Sequence, residues 1–313
     1  MEHPPLRNKI HCAAALNFCR SLPSESVDLV YSSPPYFRLR DYQVEGQLGM
    51  ELTPGDYIAR LLEICLEFQR VLKPNGSLFL NLGDTYASSK CRPAAKVRPR
   101  NGRTRPTAPV ACKSLMGIPW RFALRMTDEH GWILRNEIIW AKPNPKPNSV
   151  FDRFNNAHES IFFFTRSEKA FFDLDAIREP YNPETVARVE RAMRQTPNVA
   201  SGKRDSSGLA ESPKAILLNM VRRWSTGHAK GKIPLDVWSV PTASFNGDHF
   251  AVGPEALCVK PILACCPPGG TVLDPFAGTG TTALVAARLG RDFLACELNP
   301  RYAEAANRRL NSP

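Results

Sequence analysis

The stretch from Thr271 to Leu310 constrains the fold more than any other. Thr271–Phe276 (TVLDPF) is a short apolar run of strand type, and Ala277–Gly280 is a tight turn. Thr281–Leu289 then reads as a helix, Asp292–Glu297 as a second strand and Tyr302–Leu310 as a final helix. Two strands joined through a helix need a crossover, and crossovers build parallel sheets with helices on their faces. The expected fold is therefore α/β, a doubly wound and mostly parallel sheet. Within this unit AGTGTT at 277–282 follows the strand and opens the helix. Gly278 and Gly280 let the backbone turn sharply and approach a ligand closely. The helix start offers free N–H groups and a positive dipole end to an anion. Glu297 closes the next strand about twenty residues on, where a carboxylate can accept both hydrogen bonds of a ribose diol. Gly278-Thr279-Gly280-Thr281-Thr282-Ala283 fits the glycine fingerprint of dinucleotide sites. A nicotinamide enzyme stays open at this level, as does a turn that binds nothing.

Upstream, Ser26–Ser32 (SVDLVYS) is a short apolar strand that runs into Ser33-Pro34-Pro35-Tyr36, whose prolines stop regular pairing. Two prolines fix a narrow backbone conformation, so a hydroxyl, backbone carbonyls and an aromatic face share one rigid loop. Asp56–Leu72 has helical spacing, with Ile58, Leu61, Leu62, Cys65 and Val71 on its apolar side. Lys73–Gly76 is expected as a turn and Ser77–Leu82 as a buried strand. Pro119–His130 reads as a helix and Ile133–Trp140 as a strand. Asn144–Asn148 is proline-rich, and Glu159–Thr165 is a further apolar strand. Asp248–Cys266 reads as a loop followed by a helix.

Charge is distributed unevenly. The net charge is +11 and the pI about 9.4. Residues 90–113 hold eight Lys or Arg and no acid, and residues 181–237 hold ten basic and five acidic residues. The rest of the chain is close to neutral. A localised excess fits a phosphate-facing surface, although solvated loops also carry such runs. Residues 86–113 lack periodicity and are expected to be a long mobile loop. The division expected is 1–180, an inserted region at 181–237, and 238–313. With 313 residues, 43% of them hydrophobic, the chain can bury one large core, and wholesale disorder is excluded. No apolar run reaches membrane-spanning length and Met1–Ile10 lacks a signal-peptide core, so no membrane association and a cytoplasmic location are expected. Nine cysteines without a CxxC pair read as reduced thiols, with Cys265 and Cys266 in the core and no metal site. His11, His158 and His249 have no ligand spacing.

SSPPY at 32–36 together with DPFAGTGTT at 274–282 resembles the amino-methyltransferases of DNA. The catalytic loop comes first, the glycine-rich loop last and a basic stretch between, an order similar to the circularly permuted beta group. NLGDTY at 81–86, NEIIWAKPNPKPN at 136–148 and HESIFFFTRS at 158–167 match as well, so the likeness covers residues 8–311. The resemblance implies S-adenosylmethionine as cofactor, bound by Asp274, Phe276, Ala277, Gly278, Thr279, Gly280 and Thr281, with Glu297 on the ribose. It implies a catalytic loop of Ser33, Pro34, Pro35 and Tyr36. Ser33, where others have Asp or Asn, resembles the cytosine-N4 subgroup. Double-stranded DNA is then the substrate, a restriction endonuclease the possible cognate partner, and 181–237 the target-recognition region. Arg222, Arg223 or Trp224 would read bases. Arg98, Arg100, Arg103 and Arg105 in the 86–113 segment would clamp phosphates.

The chemistry suits these residues. The cytosine amine is a poor nucleophile because its lone pair is delocalised into the ring. The Ser33 hydroxyl and the Pro34 carbonyl can accept its two N–H groups and aim the lone pair at a sulfonium methyl, while Tyr36 stacks on the base. The base must leave the duplex to reach them. Methylation at the ring carbon would need a cysteine after a proline, and no Pro-Cys pair exists. The rivals are an adenine-N6 methyltransferase of the same architecture, a nicotinamide oxidoreductase and a catalytically dead DNA-binding protein.

Overall fold

The computed structural model describes residues 7–87, 92–93, 107–108, 110–195, 231–243 and 253–311. Two compact units are distinguished, Met1–Asp173 with Asp236–Pro313, and Leu174–Leu235.

The first unit is built on one eight-stranded sheet. Its strands are β1 (Ile10–Cys12), β2 (Val27–Ser32), β3 (Leu72–Leu82), β6 (Ile133–Ala141), β7 (His158–Thr165), β8 (Val237–Ser239), β9 (Thr271–Asp274) and β10 (Asp292–Glu297). The spatial order is β1-β10-β9-β2-β3-β7-β6-β8. The first five of these run parallel, β7 is antiparallel to both its neighbours, and β8 lies parallel to β6. Helices α1 (Ala15–Ser21), α2 (Pro54–Val71), α3 (Ile118–Asp128), α5 (Glu255–Cys265), α6 (Thr281–Arg288) and α7 (Pro300–Leu310) complete this unit. None of the described helices is long and apolar enough to cross a membrane.

The strands are apolar on both sides because both sides are covered. Every residue of β2 is buried. On β7, Phe162 and Phe164 join the core that holds α2 and α3, while Phe163 points the other way and stacks on Phe79 at 4.4 Å. The α2 positions expected to be apolar are all buried. Thr53 caps this helix, its hydroxyl oxygen accepting from Asp56 N–H at 3.0 Å, and Pro54 stands in the first turn.

Three features differ from expectation. Lys73–Gly76 is no free turn: β3 starts at Leu72, which pairs with Val27, and the ladder resumes with Ser77 opposite Leu29, so these four residues bulge from the strand. β1, α1 and β8 are elements that the periodicity did not signal. Val237, expected to close the inserted region, opens β8, which pairs with β6.

The 86–113 segment falls largely outside the described residues, and Arg98, Arg100, Arg103 and Arg105 with it. Its described parts include two short strands, β4 (Arg92–Pro93) and β5 (Thr107–Ala108), paired in parallel. Its ends meet, because Ala87 N–H donates to Ser114 O and Lys113 N–H to Ala87 O. In the second unit, helix α4 (Pro183–Gln195) starts at Asn182, whose side chain accepts from Glu184 N–H. The Glu179 and Lys232 backbones pair, and Arg178 donates to Gly231 O. Arg222, Arg223 and Trp224 lie outside the described residues.

One buried carboxylate ties the amino ends of the central strands together. Asp28 accepts twice from Lys73 Nζ, at 2.8 and 2.9 Å, and once from Thr271 N–H, at 2.9 Å. Lys73 is 41% exposed, so water can replace its partner, whereas the Thr271 N–H cannot be re-satisfied so easily. Asp28→Ala is expected to lower the unfolding free energy by about 1–3 kcal/mol, read from urea denaturation. An unchanged midpoint would show that the contact contributes nothing.

Candidate active site

The strand order brings the two motifs together. β9 continues outward to β10 and β1, and β2 continues the opposite way to β3. The crevice at the carboxyl ends of β9 and β2 is therefore a topological switch point, the place where open α/β sheets take their ligands. Ser32 ends β2 and Asp274 ends β9. Their side chains meet in a buried hydrogen bond, Ser32 Oγ donating to Asp274 Oδ1 at 2.6 Å. Phe276 N–H donates to the same oxygen at 3.1 Å. Burial raises the Asp274 pKa above the ordinary aspartate value, while the Ser32 and Thr282 hydroxyls and the Phe276 N–H pull it back.

The glycine turn follows. Gly278 and Gly280 have φ of 51° and 76°, in the left-handed region. At Gly280 a Cβ would come within 2.8 Å of Ile10 Cδ1, so β1 closes off one side of the turn. Glu297 accepts from Gly278 N–H at 3.0 Å with one oxygen and from Asn299 N–H at 2.8 Å with the other. Each oxygen keeps a further lone pair for a diol. Burial raises the Glu297 pKa, opposed by these backbone donors. Thr281 Oγ1 and the Thr279 carbonyl accept from Arg309, which fastens α7 onto the turn. Ala277 is buried, its N–H donating to Cys296 O, and Phe276 is half-buried.

The proline loop forms the opposite wall. Pro34 is buried and Ser33 exposed. Tyr57 hydroxyl donates to Pro35 O at 3.0 Å, fixing the loop to α2. Tyr36 hydroxyl donates to Glu159 Oε2 at 2.6 Å and lies 3.4 Å from Ser33 Oγ. The space that a Cβ on Gly83 would need is filled by the Tyr36 ring, 2.4 Å away. Burial, then the Glu159 charge, pushes the Tyr36 pKa well above 10, so the phenol remains a donor.

Glu159 is the residue that sequence reasoning missed. Asn81 Nδ2 also donates to its Oε2, at 3.1 Å, and Lys142 pairs with its Oε1. Asn81 Oδ1 is buried with no partner, and Asn81 lines the cleft. The three came from the stretches NLGDTY, NEIIWAKPNPKPN and HESIFFFTRS, but only the topology sets the ends of β3, β6 and β7 side by side. Asp84 in NLGDTY serves α3 instead, its carboxylate accepting from Gly117 and Ile118 N–H at the start of that helix.

Ser33–Tyr36, Asp274, Phe276–Thr279, Thr281 and Glu297 all border one cavity of about 710 Å³. Gly280 does not border it and serves the turn. The volume is within the range of small-molecule and cofactor sites. A carboxylate with spare acceptors, a glycine turn and a helix start fit a nucleoside-bearing cofactor, and the acceptors at Ser33 and Asn81 fit an amine beside it.

A family model described as DNA methylase matches residues 27–308. The Type II methyltransferase M.XycI of Xanthomonas campestris pv. cyanopsidis is 40% identical over 301 residues, covering 95% of this chain and 85% of the relative. M.SmaI of Serratia marcescens is 36% identical over 307 residues, covering 96% and 90%. The chain belongs to the DNA methylase family of N6 and N4 amino-methyltransferases. It is a DNA methyltransferase of the restriction–modification type, with S-adenosylmethionine as its cofactor. Among solved structures, the cytosine-N4-specific PvuII DNA methyltransferase shares the fold with a TM-score of 0.62, at 20% identity and 96% and 87% coverage. A Thermus thermophilus protein named as a putative DNA modification methylase, complexed with S-adenosyl-L-methionine, gives 0.54 at 24% identity, covering 96% and 92%.

Glu297→Ala is expected to weaken S-adenosylmethionine binding by on the order of 1–3 kcal/mol in calorimetry. Unchanged affinity in a folded variant would remove Glu297 from the cofactor site.

Proposed function

We propose that the protein transfers the methyl group of S-adenosylmethionine to the N4 amine of cytosine in a specific duplex sequence, beside a cognate restriction endonuclease. The observation that carries this reading is Ser33, a hydroxyl rather than a carboxylate or amide, at the cleft between β2 and β9. The fold shared with the PvuII cytosine-N4 enzyme supports it.

The cofactor supplies an electrophilic methyl on its sulfonium. Asp274–Thr279 and Glu297 would bind and orient it, Glu297 by way of the ribose, with Gly280 shaping the turn behind them. Ser33 Oγ and the Pro34 carbonyl accept from the amine and turn its lone pair toward the methyl; Asn81 Oδ1 offers another acceptor. Tyr36 stacks on the base, and Glu159 holds its ring in position. No covalent intermediate is required, so the contribution is positioning and electrostatics. Cys258 also lines the cleft, but burial pushes its thiol up to about 12, which makes it a poor nucleophile for ring-carbon chemistry.

Nucleoside mass spectrometry of methylated duplex is expected to report N4-methylcytosine, and long-read sequencing of DNA from expressing cells to map the site. N6-methyladenine as the main product would install the adenine reading instead. Ser33→Ala is expected to slow single turnover by roughly 10- to 1,000-fold, about 1.4–4 kcal/mol, with DNA affinity nearly unchanged. Tyr36→Ala is expected to impair both, since stacking contributes about 1–3 kcal/mol. A fully active Ser33→Ala would refute the acceptor role.

The basic 86–113 segment is assigned to phosphates. Deleting residues 88–112 joins chain ends that already meet, and is expected to flatten the dependence of log affinity on log salt while leaving sequence preference intact. A changed preferred sequence with the same slope would show that the segment reads bases.

A further inference from the structure

Two phenylalanines stand in solvent beside the cleft. Phe151 is 101% exposed and Phe154 95%, whereas no other large apolar side chain among the described residues exceeds 68%. Both lie on the segment that joins β6 to β7, residues 142–157. This segment is closed at its base by Lys142 N–H donating to Ala157 O at 2.7 Å.

The segment is pinned around the rings. Asn155 Nδ2 donates to Lys146 O at 3.0 Å, and Tyr86 hydroxyl to Asn156 Oδ1 at 3.1 Å. The Arg153 guanidinium lies 3.8 Å over the Tyr86 ring, and Asp152 is ion-paired with Lys113. The neighbours of each phenylalanine are thus held while the rings remain uncovered. Burying an aromatic ring is favourable, and a surface that keeps two of them out marks a place where something else covers them.

The location indicates what covers them. Lys146, Asn148, Asn155 and Asn156 of this segment line the cleft, so Phe154 adjoins a wall residue and Phe151 is three residues from another. Lys142 is ion-paired with Glu159 and Asp152 with Lys113, and Lys146 and Arg153 give the segment the sign that phosphates attract. The substrate of the enzyme is DNA, whose base stack offers apolar faces between charged backbones.

We propose that Phe151 and Phe154 form a wedge for duplex DNA, entering the base stack and filling the space that the target base vacates. Apolar side chains inserted between base steps unstack them, and a pinned loop does so without first being ordered. The inference rests on the reading that the target base leaves the duplex for the cleft, and it holds whether that base is cytosine or adenine.

The test uses the full-length enzyme and a duplex carrying its mapped site. The double variant Phe151→Ala with Phe154→Ala is expected to bind S-adenosylmethionine like the wild type. Its single-turnover rate on the fully paired site is expected to fall by roughly 10- to 100-fold, the scale set by unstacking a paired base. Opposite an abasic position, where that cost is smallest, the rate is expected to return to within about threefold of the wild type. An equal loss on both duplexes, or no loss on the paired one, overturns the wedge. So does a variant of lower oligomeric mass with full activity, which would assign the rings to contact with a second copy. Base extrusion is checked separately: 2-aminopurine at the target should brighten when the wild-type enzyme binds, and an absence of brightening would overturn extrusion itself.

Discussion

The buried hydrogen bond between Ser32 and Asp274 joins residues 242 apart in the chain, and the site is organised around it. It exists because β2 and β9 are neighbours while the chain leaves them in opposite directions. At that point no crossover helix covers the carboxyl ends of the strands, and the crevice stays open. Burial disfavours the charged form of Asp274, and hydroxyl and backbone donors offset this. Those same donors hold the start of the glycine turn and the last residue before the proline loop. Cofactor wall and substrate wall thus share one fixed point.

The two walls are stiffened differently. On the cofactor side Glu297 commits one lone pair of each oxygen to backbone N–H groups of the glycine turn and of Asn299, so the residue suited to a ribose also shapes its own surroundings. On the other side a side-chain carboxylate takes this part. Glu159 draws in Tyr36, Asn81 and Lys142 from three elements. Asn81 cannot turn its amide without losing the bond to Glu159, which leaves its Oδ1 as a fixed acceptor. In a low-dielectric cleft such fixed dipoles need little reorganisation as charge develops.

Much of this was legible in the residues. The unit from Thr271 to Leu310 announced its strands and helices by apolar runs and glycine punctuation, and β2, α2, β7 and the parallel sheet could be read in the same way. What escaped had weak local signals. β1 and β8 are three residues long, too short for a period to register. Lys73–Gly76 carries proline, asparagine and glycine, the composition of a turn, and only pairing with β2 turns it into a bulge. Glu159 sits at the polar end of an apolar strand and looks solvated; its partners at 36, 81 and 142 become neighbours only when the sheet is assembled. Local chemistry therefore exposed the two loops, while the network between them depended on topology.

The position of β2 also bears on synthesis. One of its neighbours, β3, follows within the same stretch of chain, but the other, β9, is made more than two hundred residues later. A growing chain can pair β2 with β3 and present the proline loop long before Asp274 exists. Until the final strands emerge, the edge of β2 that will receive β9 stays unpaired, and Ser32 has no carboxylate to meet. Long-range parallel pairing of this kind is slow and leaves edges open to aggregation. Such an enzyme gains its competence to modify DNA only once β9 has been made and paired with β2, all at once rather than by degrees.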